Sequence, residues 1–256
     1  MNNIETVADY IIEAKRVVVF TGAGFSTESG VPDFRSPGGV WDRFDPSELN
    51  LPNFLRYEDI REKYWRMHKM MWETIRDARP NIGHIAVAGL HEIGKLDCVI
   101  TQNTDGLHQK AGVPDDKVLE IHGTMQWVDC LDCRQRFPRA YAHDKMLSGE
   151  KVPRCGTCHG LLKPATVAFG QAMPEKETRE AEERSSSCDL FLSAGSSLVV
   201  YPAAQMPVIA KRSGARLVIL NLTATPLDHY ADVLIGEKTG ETLSRIVSRV
   251  REKLAA

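Results

Sequence analysis

The β-branched run Val17-Val18-Val19-Phe20-Thr21 breaks directly into GAGFSTESGVPDFR over residues 22–35, and this junction leaves the chain few ways to fold. Consecutive apolar residues without alternation describe a strand covered on both faces, as in the interior of a parallel sheet. Closely spaced glycines at its end allow a tight turn that brings backbone against a pyrophosphate, which points to a dinucleotide. The ordinary fingerprint is G-x-G-x-x-G. Here Thr27 holds the third glycine position, and the motif continues into Pro32-Asp33-Phe34-Arg35.

The rest of the chain agrees with an α/β protein. Further apolar runs at residues 97–100, 119–121, 190–194, 217–220 and 233–235 read as strands of the same sheet, separated mostly by helical patterns. The C-terminal pattern is the clearest, with Leu243, Ile246, Val247, Val250 and Leu254 on one face and Arg245, Arg249, Arg251 and Glu252 off it. Near the N-terminus, Ile4, Val7, Ala8, Ile11 and Ile12 recur at helical spacing, without a signal-peptide core or a membrane span. A formal charge of −2 over 256 residues offers no general attraction to nucleic acid or anionic lipid. Two segments interrupt the alternation. Residues 36–86, rich in Trp, Met and charge, read as a mainly helical insertion whose aromatic and Met residues are packing. Residues 128–164 form a second insertion that carries two cysteine pairs.

Those pairs, Cys130-Leu-Asp-Cys133 and Cys155-Gly-Thr-Cys158, stand 21 residues apart. A two-residue gap turns both thiolates of a pair toward one ion, and four sulfur ligands suit zinc. With every ligand supplied by the chain the ion is structural, and thiols used in this way belong to a reducing compartment, taken as cytoplasmic. His143 and His159 lie near enough in sequence to stand in for a cysteine. Cys98 and Cys188 sit in or beside apolar runs and read as small core residues.

Three further segments fall where strands end, which is where ligands bind in such sheets. Thr101-Gln102-Asn103-Thr104-Asp105-Gly106-Leu107-His108 follows one strand, His122-Gly123 another, and Gly195-Ser196-Ser197-Leu198-Val199-Val200-Tyr201-Pro202 a third. Taken singly, Asp105 reads equally well as a helix cap and His122 as a structural residue. Together with Arg35 they place a carboxylate, two amides, an imidazole and a guanidinium on one rim. Asn221 follows the next strand, where dehydrogenases usually carry an acid for the ribose.

In order and spelling these motifs resemble the sirtuin family: GAGFSTESGVPDFR, TQNTDGLH, IHG, two CxxC pairs, KPATVAFGQ, GSSLVVYPAA, then Asn221 and Gly236-Glu237-Lys238-Thr239-Gly240-Glu241. The resemblance spans almost the whole chain. It implies a Rossmann-like doubly wound parallel sheet as the NAD-binding domain (residues 1–35, 87–127 and 165–256), with the helical insertion at 36–86 and a smaller zinc-binding domain at 128–164. It also implies an NAD-dependent protein-lysine deacylase that consumes NAD, moves the acyl group to ADP-ribose, and releases nicotinamide and O-acetyl-ADP-ribose. By similarity His122 is the general base, Asn103 orients the ribose and a water, and Asp105 holds the nicotinamide carboxamide with Thr104. Gly22, Ala23, Gly24, Thr27, Phe34, Arg35 and Gln102 complete the cofactor pocket. Gly195, Ser196, Ser197 and Asn221 take the adenosine half and its phosphates. An acyl-lysine peptide is expected to add as a strand between Val167, Phe169 and Gly170 on one side and Leu198 and Val199 on the other. No direct nucleic-acid or membrane partner is implied, and the oligomeric state is left open.

The chain departs from the family pattern at several points. Thr104 replaces a common Ile or Val, Gln171 a common Glu, Lys163 a common Arg, and Ala168 a bulkier residue. Relatives that remove succinyl groups carry Tyr-x-x-Arg in the helical insertion, whereas here Lys63 precedes Arg66 at that spacing, so succinyl-lysine is expected to be a poor substrate. Two other readings compete with deacylation: protein mono-ADP-ribosyl transfer from the same pocket, and a non-catalytic zinc-ribbon interaction module.

Overall fold

A computed structural model describes residues 3–255. The strands are β1 (Val17–Thr21), β2 (Leu96–Thr101), β3 (Val118–Glu120), β4 (Gly123–Cys130), β5 (Arg136–Pro138), β6 (Leu162–Thr166), β7 (Leu190–Ala194), β8 (Arg216–Leu220) and β9 (Val233–Ile235). The helices are α1 (Asn3–Glu13), α2 (Leu51–Arg56), α3 (Glu58–Asp77), α4 (Ile82–Glu92), α5 (Leu107–Lys110), α6 (Arg139–Leu147), α7 (Glu175–Ser187), α8 (Met206–Arg212) and α9 (Thr239–Ala255). Among the described residues no helix is long and apolar enough to cross a membrane.

Six strands form a parallel sheet in the order β3-β2-β1-β7-β8-β9. Every residue of β1 and of β7 is buried, which is why both read as unbroken apolar runs. One face of the sheet packs Val17, Val19, Leu192 and Val218 against α1, α4 and α9; the other packs Val18, Phe20, Phe191 and Ile219 against α7 and α8. Strand order reverses between β1 and β7, so their carboxyl ends open a crevice between neighbouring loops. Cys98 and Cys188 are buried in the second face, as expected, and burial pushes the Cys188 thiol up to about 12.

The two insertions share a core of their own. Tyr64, Trp65, Met67, Met71 and Trp72 of α3 pack with Val128, Cys130, Cys155 and Leu162 of the cysteine-bearing segment and with Met125 just before it. That segment is built on an antiparallel sheet, β5-β4-β6, whose outer strands flank β4. Helix α3 starts with Glu58 and Asp59 and has Arg76 in its last turn, charges that complement the helix dipole. Asn81 then caps α4, its carbonyl accepting from the Gly83 and His84 amides. Because α4 begins at Ile82, its first turn lies inside the range expected for the helical insertion. The helix nonetheless packs on the large sheet through Ala86, Val87 and Leu90.

Helix α9 buries Leu243, Ile246, Val247 and Val250, but Leu254 in its last turn is half exposed. Its basic face is engaged: Arg249 pairs with Glu5 and Glu252, and Arg251 with Glu92. Exposed pairs of this kind contribute little individually, on the order of 0–1 kcal/mol.

Candidate active site

At the crevice, two loops are pressed together. Gly22 donates to the Ala194 carbonyl at 3.2 Å and Gly24 to the Gly195 carbonyl at 2.9 Å. A Cβ on Gly22 would lie 2.8 Å from the Gly195 oxygen, and one on Gly195, where φ is +65°, would lie 2.3 Å from the Phe25 nitrogen. Glycine is therefore required here for the approach of one loop to the other. The amides of Gly22 and Gly24, which the fingerprint offers to a pyrophosphate, are already committed to carbonyls. Thr27 turns its hydroxyl back to the Gly24 carbonyl at 2.9 Å, tightening the same turn.

The loop after β2 forms the next part of the rim. Asn103, buried, donates its side-chain amide to the Gly22 carbonyl and to Ser26 Oγ, both at 3.0 Å. The Ser26 hydroxyl in turn donates to Asp105 Oδ2 at 2.7 Å, and Asp105 Oδ1 accepts from the Leu107 amide at 2.9 Å. Asp105 thus holds the first turn of α5 with one oxygen and faces the glycine loop with the other. Its burial raises its pKa, against the opposing effect of these bonds. Gln102 reaches across to Ser196 Oγ at 2.8 Å, which also accepts from the Leu198 amide at 3.2 Å. Leu198 is buried with φ of +53°, while Val199 beside it is exposed.

His122 stands between this rim and the small sheet. Its Nδ1 lies 3.2 Å from the Gln102 carbonyl, which can only accept, so the proton resides on Nδ1 and Nε2 keeps a free lone pair. Burial lowers the imidazole pKa, partly offset by that carbonyl. The His122 carbonyl accepts from the Val167 amide at 2.8 Å, joining the start of β4 to the end of β6. Gly123 makes this crossing possible: its φ is +72°, and a Cβ there would sit 2.1 Å from the Ala165 carbonyl oxygen.

Beyond Val167, the Phe169 carbonyl accepts from the Leu51 amide at 2.9 Å, and its ring, 45% exposed, leans on Trp41 at 6.0 Å between centroids. Trp41 in turn meets Phe34 at 5.1 Å. An aromatic wall therefore runs from the glycine-loop motif to the 167–170 segment, with Gly170 at its end in a left-handed turn. Arg35 is exposed at the mouth, its amide held by Asp33 at 3.0 Å. Thr104 is half-buried, and its carbonyl accepts from Met125 at 2.8 Å. Ala23 and Ser197 are half-buried at the two loops. Asn221, at the end of β8, folds its side-chain amide onto the Thr223 carbonyl at 2.7 Å instead of projecting along the rim.

Ser26 and Trp41 were not singled out in the sequence. Ser26 carried a local signal, a hydroxyl inside the glycine loop. Trp41 carried none, because its contacts with Phe34 and Phe169 join segments far apart in the chain.

At the other end of β4, Cys130, Cys133, Cys155 and Cys158 bring their sulfurs within 4.8 Å of one another. The Cys130–Cys158 and Cys133–Cys155 separations are 3.5 and 3.8 Å, far too long for disulfides. Tetrahedral zinc with Zn–S bonds of about 2.3 Å requires sulfurs about 3.8 Å apart, so the donor set and its spacing fit a four-cysteine zinc site. His143 and His159 are not part of the cluster among the described residues. Seven residue steps along β4 separate the cysteines from Gly123, roughly 24 Å at strand rise, so the metal is structural.

The family model described as "Sir2 family" matches residues 22–202. An NAD-dependent protein deacetylase 1 of Bradyrhizobium diazoefficiens is 45% identical over 246 residues, covering 96% of each chain. A Sir2 variant solved with deacetylated p53 peptide and 3′-O-acetyl-ADP-ribose is 36% identical, with a TM-score of 0.90 over 96% of this chain and 98% of that one. A Sir2 chain solved with p53 peptide and NAD+ is 36% identical, with a TM-score of 0.87 over 98% of both. A matched span of this length, continuous from the glycine loop through the cysteine cluster to the serine loop, means that the chain belongs to the Sir2 family.

Proposed function

We propose that this chain is an NAD-dependent protein-lysine deacetylase that transfers the acyl group to ADP-ribose and releases nicotinamide and O-acetyl-ADP-ribose. The observation that carries the reading is His122, whose Nδ1 is tied to the Gln102 carbonyl while Nε2 is left free to accept a proton beside the crevice. NAD supplies an anomeric carbon that becomes electrophilic as nicotinamide departs, so a weak nucleophile such as an amide oxygen suffices when held in line.

The chain's residues then act by position. Gly22, Ala23, Gly24 and Thr27 border the cofactor, with Gly195, Ser196, Ser197 and Asn221 toward its adenosine half. Asp105, with Thr104, receives the nicotinamide carboxamide, and Asn103 orients the ribose. Gln102 fixes both the His122 ring and Ser196, coupling the two halves of the pocket. His122 takes a proton from the ribose hydroxyl system at Nε2 once the acyl oxygen has attacked. Phe34 and Arg35 close the mouth and exclude water. The acyl-lysine peptide lies between Val167, Phe169 and Gly170 and the loop at Leu198 and Val199, where its backbone bonds dominate recognition. One zinc, held by Cys130, Cys133, Cys155 and Cys158, stabilises the segment that presents His122 and Val167.

The same reading divides the chain into a nucleotide-binding unit (residues 1–35, 87–127 and 165–256), a helical insertion (36–86) and a zinc-binding unit (128–164). What supports it is that most buried apolar residues of 36–86 and 128–164 pack with one another, apart from the two cores of the large sheet, although Ala86 joins the sheet and Val31, Leu107, Met125 and Ala168 join the inserted core. A reducing compartment, the cytoplasm, suits four thiols kept available for metal.

Mass spectrometry of the products formed from NAD and acetyl-lysine peptides tests the reading. Deacetylated peptide, nicotinamide and O-acetyl-ADP-ribose in equal amounts are expected. Nicotinamide released without acylated peptide, with adenosine label attached to protein, would replace deacylation by ADP-ribosyl transfer.

A further inference from the structure

Beneath the glycine loop lie two histidines that the proposed mechanism does not use. His84 of α4 and His108 of α5 are 0% and 1% exposed, with ring centroids 4.9 Å apart and Phe25 of the glycine loop against both, at 4.9 and 5.5 Å. Each has one satisfied ring nitrogen. The Asn81 amide lies 3.3 Å from His84 Nδ1, and Thr21 Oγ1 lies 3.0 Å from His108 Nε2. The other two nitrogens, His84 Nε2 and His108 Nδ1, are buried without a hydrogen-bond partner.

The backbone partner determines the tautomer of His84. A backbone N–H can only donate, so His84 Nδ1 accepts and its proton sits on Nε2. Thr21 Oγ1 also lies 2.8 Å from Thr101 Oγ1, which accepts from the Asn103 amide at 3.0 Å. A Thr21 hydroxyl that donates to Thr101 accepts from His108 Nε2, which leaves His108 Nδ1 as a bare acceptor. In that network the two orphaned atoms are a donor and an acceptor on adjacent rings. Neither ring has a carboxylate partner, and burial keeps both neutral, pulling His84 down to about 4 and His108 well below its ordinary value.

We propose that His84 and His108 enclose one bridging water, completing a buried hydrogen-bonded chain from Asn81 through Thr21 and Thr101 to the backbone of Asn103, and that the pair are positioning residues for the cofactor loops. A water that accepts from His84 Nε2 and donates to His108 Nδ1 satisfies both orphans, as buried waters commonly do. The chain ties α4, α5, β1 and β2 together directly under Gly22, Phe25 and Asn103. Asn81 closes it from the other side by donating its side-chain amide to the Phe25 carbonyl at 2.8 Å.

Two measurements test this. In the wild-type protein at pH 7, long-range proton–nitrogen correlation spectra should show both rings neutral with the proton on Nε2. A crystal structure should show one water between His84 Nε2 and His108 Nδ1. A proton on His108 Nδ1, a charged ring, or a dry contact overturns the proposal, whatever the enzyme's activity. The kinetic arm rests on the deacetylase reading. His108→Phe keeps the ring against Phe25 but removes both nitrogens, and should raise KM for NAD by roughly tenfold, the scale of one lost hydrogen bond, with peptide KM unchanged. His108→Gln, which can still donate to Thr21, should recover most of that loss. Equal impairment of the two variants, or a loss confined to thermal stability, refutes the positioning role.

Discussion

Replacing Gly123 by alanine tests the link between backbone geometry and catalysis most directly. Two costs can be read from the structure. An L-residue in the left-handed region, where Gly123 has φ of +72°, costs about 1–2 kcal/mol. The new Cβ would stand 2.1 Å from the Ala165 carbonyl, so β4 and β6 must separate here. That breaks the bond from the Val167 amide to the His122 carbonyl, worth about 1 kcal/mol net. The sum, about 2–3 kcal/mol, lowers the melting temperature by about 5 °C for a chain of this length and leaves it folded. Activity should fall much further. Relieving the overlap moves His122 by about an ångström against the Gln102 rim, and a misplacement of that size costs on the order of 100-fold in kcat/KM. Gly94→Ala is the control: its φ is +71°, but no atom lies within 4 Å of the added Cβ, and it sits at the opposite end of the sheet. It should lose about 1–2 kcal/mol of stability and keep its kcat/KM. Calorimetry and steady-state deacetylation of both variants decide the matter. If Gly123→Ala and Gly94→Ala lose activity alike, or neither does, the argument from the His122–Val167 crossing is wrong.

Other outcomes follow from the same geometry. Because burial lowers the pKa of His122 and the base works when neutral, kcat/KM should fall as pH drops through a value below 6.5; an acid limb centred above 6.5 contradicts the assignment. Cys155→Ala should lose zinc and unfold the small module, abolishing turnover although the residue lies far from the crevice; full activity in metal-free protein would exclude the structural role. Succinyl-lysine peptide should turn over at least tenfold more slowly than its acetyl counterpart. Lys63, which stands where the Tyr-x-x-Arg spacing needs its tyrosine, is engaged with Glu48 at 2.8 Å, so the pair expected for succinyl recognition is incomplete beside Arg66. Matched rates for the two peptides would disprove this.

Local order explains what was legible in the chain itself. The strand β7, covered on both faces, announces itself by an unbroken apolar run, and the buried stripe of α9 by its period, because each is dictated by neighbours a few residues away. The two CxxC pairs predicted a metal knuckle for the same reason, and His122-Gly123 was marked by a glycine whose need for close backbone approach is local. Where periodicity outran packing, as at Leu254, the pattern misled, since a helix can extend beyond the surface it covers.

By itself, then, the sequence determined the doubly wound sheet, the glycine-lined crevice, the four thiolates and the resemblance to sirtuins. All of these are written in short-range pattern and motif order. Tertiary structure alone decided that the glycine amides bond to the opposing loop, that Ser26 joins Asn103 to Asp105, and that Trp41 bridges Phe34 and Phe169. It alone decided that the two insertions share one core. These are pairings between residues remote in the chain, and their partners are chosen by how helices and sheets pack, which no local window contains.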